Sequence, residues 1–219
     1  MRAIVIENAR EEDQPLLIDQ FKLRAKVFSN RLGWDVDVVD DLEQDRFDTL
    51  QPVYVLAVDD DNAVMGCARL LPATGPTMIQ DVFPTLLRGC RLTAHTKMLE
   101  SSRFCVDTEA FHDRRGQRAN IATLTLLSAI VEWALANNMT EIVTVTDLRF
   151  ERLLARLGWS LNRLGVPRKI GVTRAVAGSL PVTAQIFCRL RPQDFTSNIS
   201  AMRHPSWRTR FEPCCGAGQ

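Results

Sequence analysis

The chain has 219 residues, 46% apolar and 24% charged, with a formal net charge of +1. That length suits one domain with a real core, and the near-neutral balance leaves no global basic field to attract nucleic acid. The six cysteines, Cys67, Cys90, Cys105, Cys188, Cys214 and Cys215, form no CxxC pair, and the three histidines lie far apart, so no metal site is expected.

The start, MRAIVIENA, carries no long apolar stretch, so no signal peptide is expected. No apolar run approaches the roughly 18 residues of a membrane span. A cytoplasmic location with reduced thiols is the matching expectation. Residues 3–7, AIVIE, read as a strand. DQPLLIDQFKLRAKVFSN then sets Leu16, Leu17, Phe21, Leu23, Val27 and Phe28 near helical spacing. Residues 33–52 read mostly as loop. VYVLAV (53–58), a DDDN turn and AVMGCARLLP (63–72) read as a hairpin. TGPTMIQDVFPTLLRG, broken by Pro and Gly, holds one short helix. LESSRFCVD (99–107) is a strand, 117–138 a long helix closed by Asn137 and Asn138, and EIVTVT (141–146) a buried strand. LRFERLLARLGW is a helix ending at Gly158, and AQIFCRL (184–190) reads as a late strand. Past Arg191 the chain turns polar, so 1–191 read as the domain and 192–219 as a C-terminal extension. The order predicts a single α/β domain with a mixed twisted sheet flanked by helices, and a right-handed crossover through 99–146. It resembles the element order of the GNAT acetyltransferase superfamily. Ligands in such sheets sit outside the carboxyl ends of strands.

Residues 24–48 place aromatics beside a run of carboxylates in a stretch too broken for a simple helix and too charged for a strand. Arg24, Phe28, Trp34, Asp45, Asp48, Arg69, Phe83, Glu100 and Arg103 stand in order along the chain. With ESSRF at 100–104, they resemble the acyl-homoserine lactone synthases, the LuxI-type autoinducer synthases, whose pattern is Arg, Phe, Trp, D-x-x-D, Arg, Phe and E-x-x-R. The resemblance runs from about residue 20 to 190.

That resemblance implies two substrates, S-adenosylmethionine and an acyl thioester, the latter on acyl carrier protein more than on coenzyme A. The amine is acylated; the methionyl carboxylate then closes the lactone and expels methylthioadenosine. No cofactor is implied, since S-adenosylmethionine is consumed. Aromatic faces suit adenine or the sulfonium, carboxylates suit the ammonium, and arginine suits the carboxylate. The implied S-adenosylmethionine residues are Arg24, Phe28, Trp34, Asp45, Phe83 and Arg103. The implied catalytic set is Glu100, Asp45, Asp48, Arg69 and Arg103, with Glu100 as the base and backbone N–H groups of strand 99–107 for the oxyanion. The alternative is that the charged set is a buried ion network ordering the loop. Glu100 and Arg103, three apart, would face opposite sides of a flat strand; either the strand is bulged or Glu100 precedes it.

The acyl chain needs an apolar pocket, expected from Phe104, Val143, Thr144 and Thr146, with Met78, Leu99, Val145 and Leu148 as further candidates. A threonine hydroxyl suits an oxygen at acyl C3, although threonine is also a plain strand former. Arg149, Arg152 and Arg156 share one helix face at i, i+3, i+7. That face is either solvated or a dock for an acidic carrier, helped by Arg163, Arg168 and Lys169. Two rival readings remain. An acetyl-CoA N-acetyltransferase needs a pyrophosphate loop, and RRGQRAN (114–120) is a degenerate one. A non-catalytic, nucleic-acid-binding module would use the arginine helix and the RHPSWRTRF tail.

Overall fold

The structure, a computed structural model, describes residues 1–89, 91–109 and 117–199, without the side chains at 117 and 118. Cys90, the start of the RRGQRAN turn, and the tail with Cys214 and Cys215 lie outside the described residues.

Strand β1 (Arg2–Ile6) leads through a 3₁₀ turn into helix α1 (Gln14–Arg24), with Pro15 in its first turn. The helix runs on into a wider π-helical turn, Ala25–Arg31. There the Leu32 amide reaches the Val27 carbonyl (3.0 Å) and the Trp34 amide the Phe28 carbonyl (2.9 Å). This widening is why the apolar spacing of the stretch departs from a 3.6 period, and such turns recur at functional sites. The expected loop at 33–52 is more ordered than its sequence suggests. It holds a ribbon, β2 (Val38–Val39) and β3 (Leu42–Glu43), turned by Asp40 and Asp41 at φ 51° and 63°, as a two-residue hairpin turn requires. A 3₁₀ turn, Arg46–Leu50, follows.

The hairpin β4 (Val53–Val58) and β5 (Val64–Pro72), short helix α2 (Met78–Asp81), β6 (Met98–Val106), α3 (Gln117–Ala136), β7 (Glu141–Asp147) and α4 (Leu148–Arg156) come in the expected order. Short strands β8 (Asn162–Arg163) and β9 (Arg168–Ile170) both pair with the long β10 (Thr173–Pro181). The expected late strand at 184–190 is instead helix α5 (Ala184–Leu190), started by the Thr183 hydroxyl, which accepts the Ile186 amide. A short apolar run carries no period that separates the two.

The sheet runs β1-β4-β5-β6-β7-β10-β8. Among its described pairs only β6 and β7 are parallel, joined through α3. Helix α3 covers one face and α1 the other. Contrary to the sequence expectation, the segment Ala119–Ala136 of α3 is long and apolar enough to cross a membrane; 61% of it is buried here. Leu126, Ile130 and Trp133 pack on the sheet as core. Beyond α5 the chain returns to β1, where Ala3 donates to the Thr196 carbonyl and the Asn198 side chain brackets the Val5 backbone. Residues 196–198 thereby cover that sheet edge.

Two features of β6 place the site. Its pairing with β7 stops at Ser101 and Thr144, and the two strands part beyond that point. Its register against β5 also slips between Cys67 and Arg69, where Arg103 adopts φ 54°. This bulge settles the Glu100–Arg103 question: the extra residue turns Arg103 to the α1 side of the sheet, where Glu100 already points.

Candidate active site

Three arginines and three carboxylates interlock between α1, the ribbon and the sheet. Arg24 is fully buried and grips Asp48 with both terminal nitrogens, each at 2.9 Å, while its Nε donates to Glu43. Arg69, also fully buried, takes Asp45 with both terminal nitrogens and lies 2.9 Å from Asp48. Arg103 Nη2 reaches Glu43 and Asp45, each at 2.8 Å. Charges balance three against three, which lets so many ions be buried together.

The D-x-x-D spacing has a local reason as well. Asp45 caps the 3₁₀ turn by accepting the Phe47 amide (2.8 Å), and Asp48 accepts the Asp45 amide (2.8 Å), a reciprocal capping box. Tyr54 donates its hydroxyl to Asp48 at 2.8 Å. Burial alone would raise the Asp48 carboxyl, but the Arg24 and Arg69 guanidiniums hold it well below the usual range. Burial and the Asp48 charge push the Tyr54 phenol up, so it stays a donor. Glu43, Tyr54 and Phe47, over which Arg46 and Arg69 stack, were not among the sequence candidates. Glu43 sits in an acidic run where only the ribbon register shows which carboxylate turns inward.

Glu100 is buried, and its two oxygens accept the Met78 (2.9 Å) and Ile79 (2.7 Å) amides at the start of α2. Burial raises its pKa, and those two amides offset part of the rise.

Where β6 and β7 part, a cleft of about 320 Å³ opens. Its wall includes Phe28, Trp34, Phe83, Met78, Glu100 and Arg103. Phe28 stacks on Trp34 with centroids 5.3 Å apart and planes 23° apart, and Arg103 lies over Phe28 at 5.5 Å. The indole N–H of Trp34 is buried without a hydrogen-bond partner among the described residues. Of the expected S-adenosylmethionine residues, Phe28, Trp34, Phe83 and Arg103 line this cleft. Arg24 and Asp45 do not, nor do Asp48 and Arg69 of the expected catalytic set: they form the layer that fixes Arg103, because their charges are already matched to one another. A wider depression of about 500 Å³ lies on the far side of that layer, against Phe21, Asp45, Asp48 and Tyr54. Its carboxylates are neutralised, and its aromatic pair, Phe21 and Tyr54, meets edge to face with the Tyr54 hydroxyl already spent on Asp48, so the smaller cleft is the candidate site.

Phe104, Thr144 and Thr146 line the cleft, as does Val145. Val143 is a correction: it pairs with Glu100 where β6 and β7 are still joined, before the cleft opens, and is buried with Ile79, Leu86 and Met98. The Thr144 hydroxyl donates to the Ser101 carbonyl at 2.8 Å. On α4, Phe150 and Leu153 line the cleft while Arg149, Arg152 and Arg156 are exposed. Asp147 caps the helix by accepting the Arg149 and Phe150 amides. Arg163 is engaged by Glu151 at 2.6 and 2.7 Å; Arg168 and Lys169 are exposed.

A mixed sheet whose one parallel pair splays into a ligand cleft defines a GNAT-like acyltransferase fold. The chain belongs to the autoinducer synthase family, whose model matches residues 8–190. It is 56% identical over 200 residues to a probable acyl-homoserine-lactone synthase of Sinorhizobium fredii (strain NBRC 101917 / NGR234), covering 91% of this chain and 96% of that one. The crystal structure of the AHL synthase LasI matches with TM-score 0.75 and 37% identity, over 86% of this chain and 94% of that one. TofI, solved in a ternary complex with an inhibitor and MTA, matches with TM-score 0.74 and 30% identity, over 87% and 96%. The relatives are acyltransferases that make acyl-homoserine lactones, and so is this chain.

Proposed function

We propose that the enzyme acylates the amine of S-adenosylmethionine with an acyl chain carried on acyl carrier protein, then closes the homoserine lactone. The observation that carries this reading is the cleft itself: the Phe28–Trp34 stack, the Arg103 guanidinium and the buried Glu100 carboxylate, open toward Ser101 and Thr144. MTA bound to TofI supports it, because methylthioadenosine is the leaving group of the second step.

The amine gives up a proton to Glu100, directly or through water, and its lone pair attacks the thioester carbon. Past Ser101, β6 no longer pairs with β7, and N–H groups on that edge serve the oxyanion. The C–S bond breaks and the carrier thiol leaves with a proton. A methionyl carboxylate oxygen then attacks the carbon next to the sulfonium; the C–S⁺ bond breaks and neutral methylthioadenosine leaves. Thr144 already gives its one hydrogen to Ser101, so it offers an acyl oxygen lone pairs only. A C3 keto oxygen therefore takes its donor from Thr146, or from Thr144 after that bond is released.

The test is to incubate the protein with S-adenosylmethionine and acyl thioesters and follow methylthioadenosine and acyl lactone. Amine acetylation from acetyl-CoA without methylthioadenosine would instead make it an N-acetyltransferase. Trp34→Ala should raise KM for S-adenosylmethionine by about ten-fold or more, from loss of the aromatic stack and its buried area, and leave KM for the acyl donor nearly unchanged. Equal effects on both substrates would remove Trp34 from that pocket. Reversing Arg152 and Arg156 to Glu should weaken use of a carrier-bound donor and flatten its salt dependence. Unchanged kinetics, with coenzyme A thioesters used equally well, would overturn carrier docking on α4.

A further inference from the structure

Behind the cleft lies a second void of about 30 Å³, close to the liquid share of one water molecule. Ser101, Phe104, Thr144 and Phe150 line both spaces, so these four residues are the partition. Phe104 and Phe150 meet with centroids 4.8 Å apart and planes tilted by 48°. Ring rotation opens such a contact without backbone movement. Past the partition the wall is buried hydrocarbon from Ile130, Ile142, Leu154 and Leu180.

Among the residues that line only the void, Trp159 is the largest and the most firmly held. Its indole N–H donates to the Pro181 carbonyl at 2.8 Å, and its amide donates to the Leu154 carbonyl at 2.9 Å, closing α4. The preceding Gly158 has φ 75°, and Arg189 holds its carbonyl at 2.9 Å. A leucine or isoleucine can change rotamer to admit a chain; this indole cannot turn without losing its hydrogen bond.

The geometry points to Trp159 as the residue that limits acyl-chain length: the chain passes between Phe104 and Phe150, fills the void and stops against the indole. This rests on the reading of the cleft as the acyl site. Close packing makes the limit sharp, since every carbon beyond the void requires the wall to move.

The test is a ladder of straight-chain acyl donors given to the wild type, Trp159→Phe, Trp159→Leu and Ile130→Phe, with product lengths read by mass spectrometry. Both Trp159 variants should favour a donor two carbons longer, its kcat/KM rising about ten-fold relative to the wild-type optimum. Trp159→Phe keeps a ring in place in case Trp159→Leu fails to fold. Ile130→Phe fills the void from α3 and should move the optimum to shorter chains. A parallel loss across all lengths in all three variants would make Trp159 plain core and overturn the assignment. Phe104→Ala separates the two layers of the argument. If it leaves the acyl KM and the length profile untouched, the chain does not lie here and the acyl-site reading falls with the proposal. If it changes them while the Trp159 variants keep the wild-type optimum, only the length assignment falls.

Discussion

Asp48→Asn should lower the melting temperature by roughly 6–20 °C, from the 3–5 kcal/mol typical of breaking a buried pair and the response of a chain this size. The substitution preserves shape. It leaves the Arg24, Arg69 and Arg103 guanidiniums facing two carboxylates, Glu43 and Asp45, and it turns an amide N–H₂ toward guanidinium and backbone N–H groups that can only donate. The Asp48 oxygens now receive the Arg24 fork, Arg69, the Tyr54 hydroxyl and the Asp45 amide, so the loss also loosens the 3₁₀ turn that holds Asp45. The pH dependence has a definite sign. The folded Asp48 carboxyl is held below its unfolded value, so its stabilisation is present above about pH 4 and is lost as pH falls through the folded value. Urea melts should therefore show a constant gap between wild type and variant from about pH 5 to 8, closing on acidification below about pH 4. A gap under about 1 kcal/mol at pH 7 would mean that the pair behaves as a solvated surface contact.

A hydrophobic cluster would fill this space with equal or greater stability, so the ion network needs another reason. Arg103 supplies it. A non-glycine residue at φ 54° costs about 1–3 kcal/mol and persists only where its surroundings dictate it. Glu43 and Asp45 grip its side chain, and Arg24 and Arg69 hold those two carboxylates in turn. Four side chains, of which Arg24, Glu43 and Arg69 are buried, thereby set the direction of one guanidinium at the cleft.

The sequence spacing identifies the members of this layer, but not which of them face the ligand space. Arg24, Phe28 and Trp34 read alike as wall residues. The π-helical turn at 25–31 separates them, leaving Arg24 beneath and the two aromatics at the surface of the cleft. No residue type announces such a turn. Glu43 is hidden for a similar reason: its burial depends on a hairpin turn made by Asp40 and Asp41, where glycine or asparagine would have signalled the bend. Strand β10, TRAVAGSLP, is missed because its small residues carry little strand preference. They are small because neighbours press close, and a β-carbon at Gly178 would come within 2.3 Å of Leu161. Val143 is misplaced because the sequence does not show where β6 and β7 part: its partner Glu100 still lies within the paired stretch, and only Thr144 and the residues beyond it reach the cleft. The hairpin 53–72, the crossover through α3 and the helix at 148–156 were legible because each carries a long, unmixed period or a clear turn.

Glu100→Gln should lower kcat by about 10²–10⁴-fold if Glu100 is the general base, but the rate alone cannot decide its role. Both carboxylate oxygens accept backbone amides from Met78 and Ile79. A glutamine must set its own N–H₂ against one of those amides, so it unseats α2 as well as removing the base. The pH profile separates the two effects. Burial raises the Glu100 carboxyl above its ordinary value, moving it toward the operating pH, where a base is most effective. The same shift means that ionised Glu100 detracts from stability: its favourable contribution is full below about pH 4.5 and lost as pH rises through the raised value. The wild-type kcat profile should then carry an acidic limb above the usual carboxylate range, separate from any limb of the substrate ammonium, which titrates near 8 in free α-amines. In Glu100→Gln the carboxylate limb should vanish while an ammonium limb stays. Glu100→Asp, which retains a carboxylate at shorter reach, should recover part of the rate and restore the limb. A Glu100→Gln enzyme with a lower melting temperature, a reduced kcat and an unchanged pH profile would make Glu100 the anchor of α2, with water taking the proton.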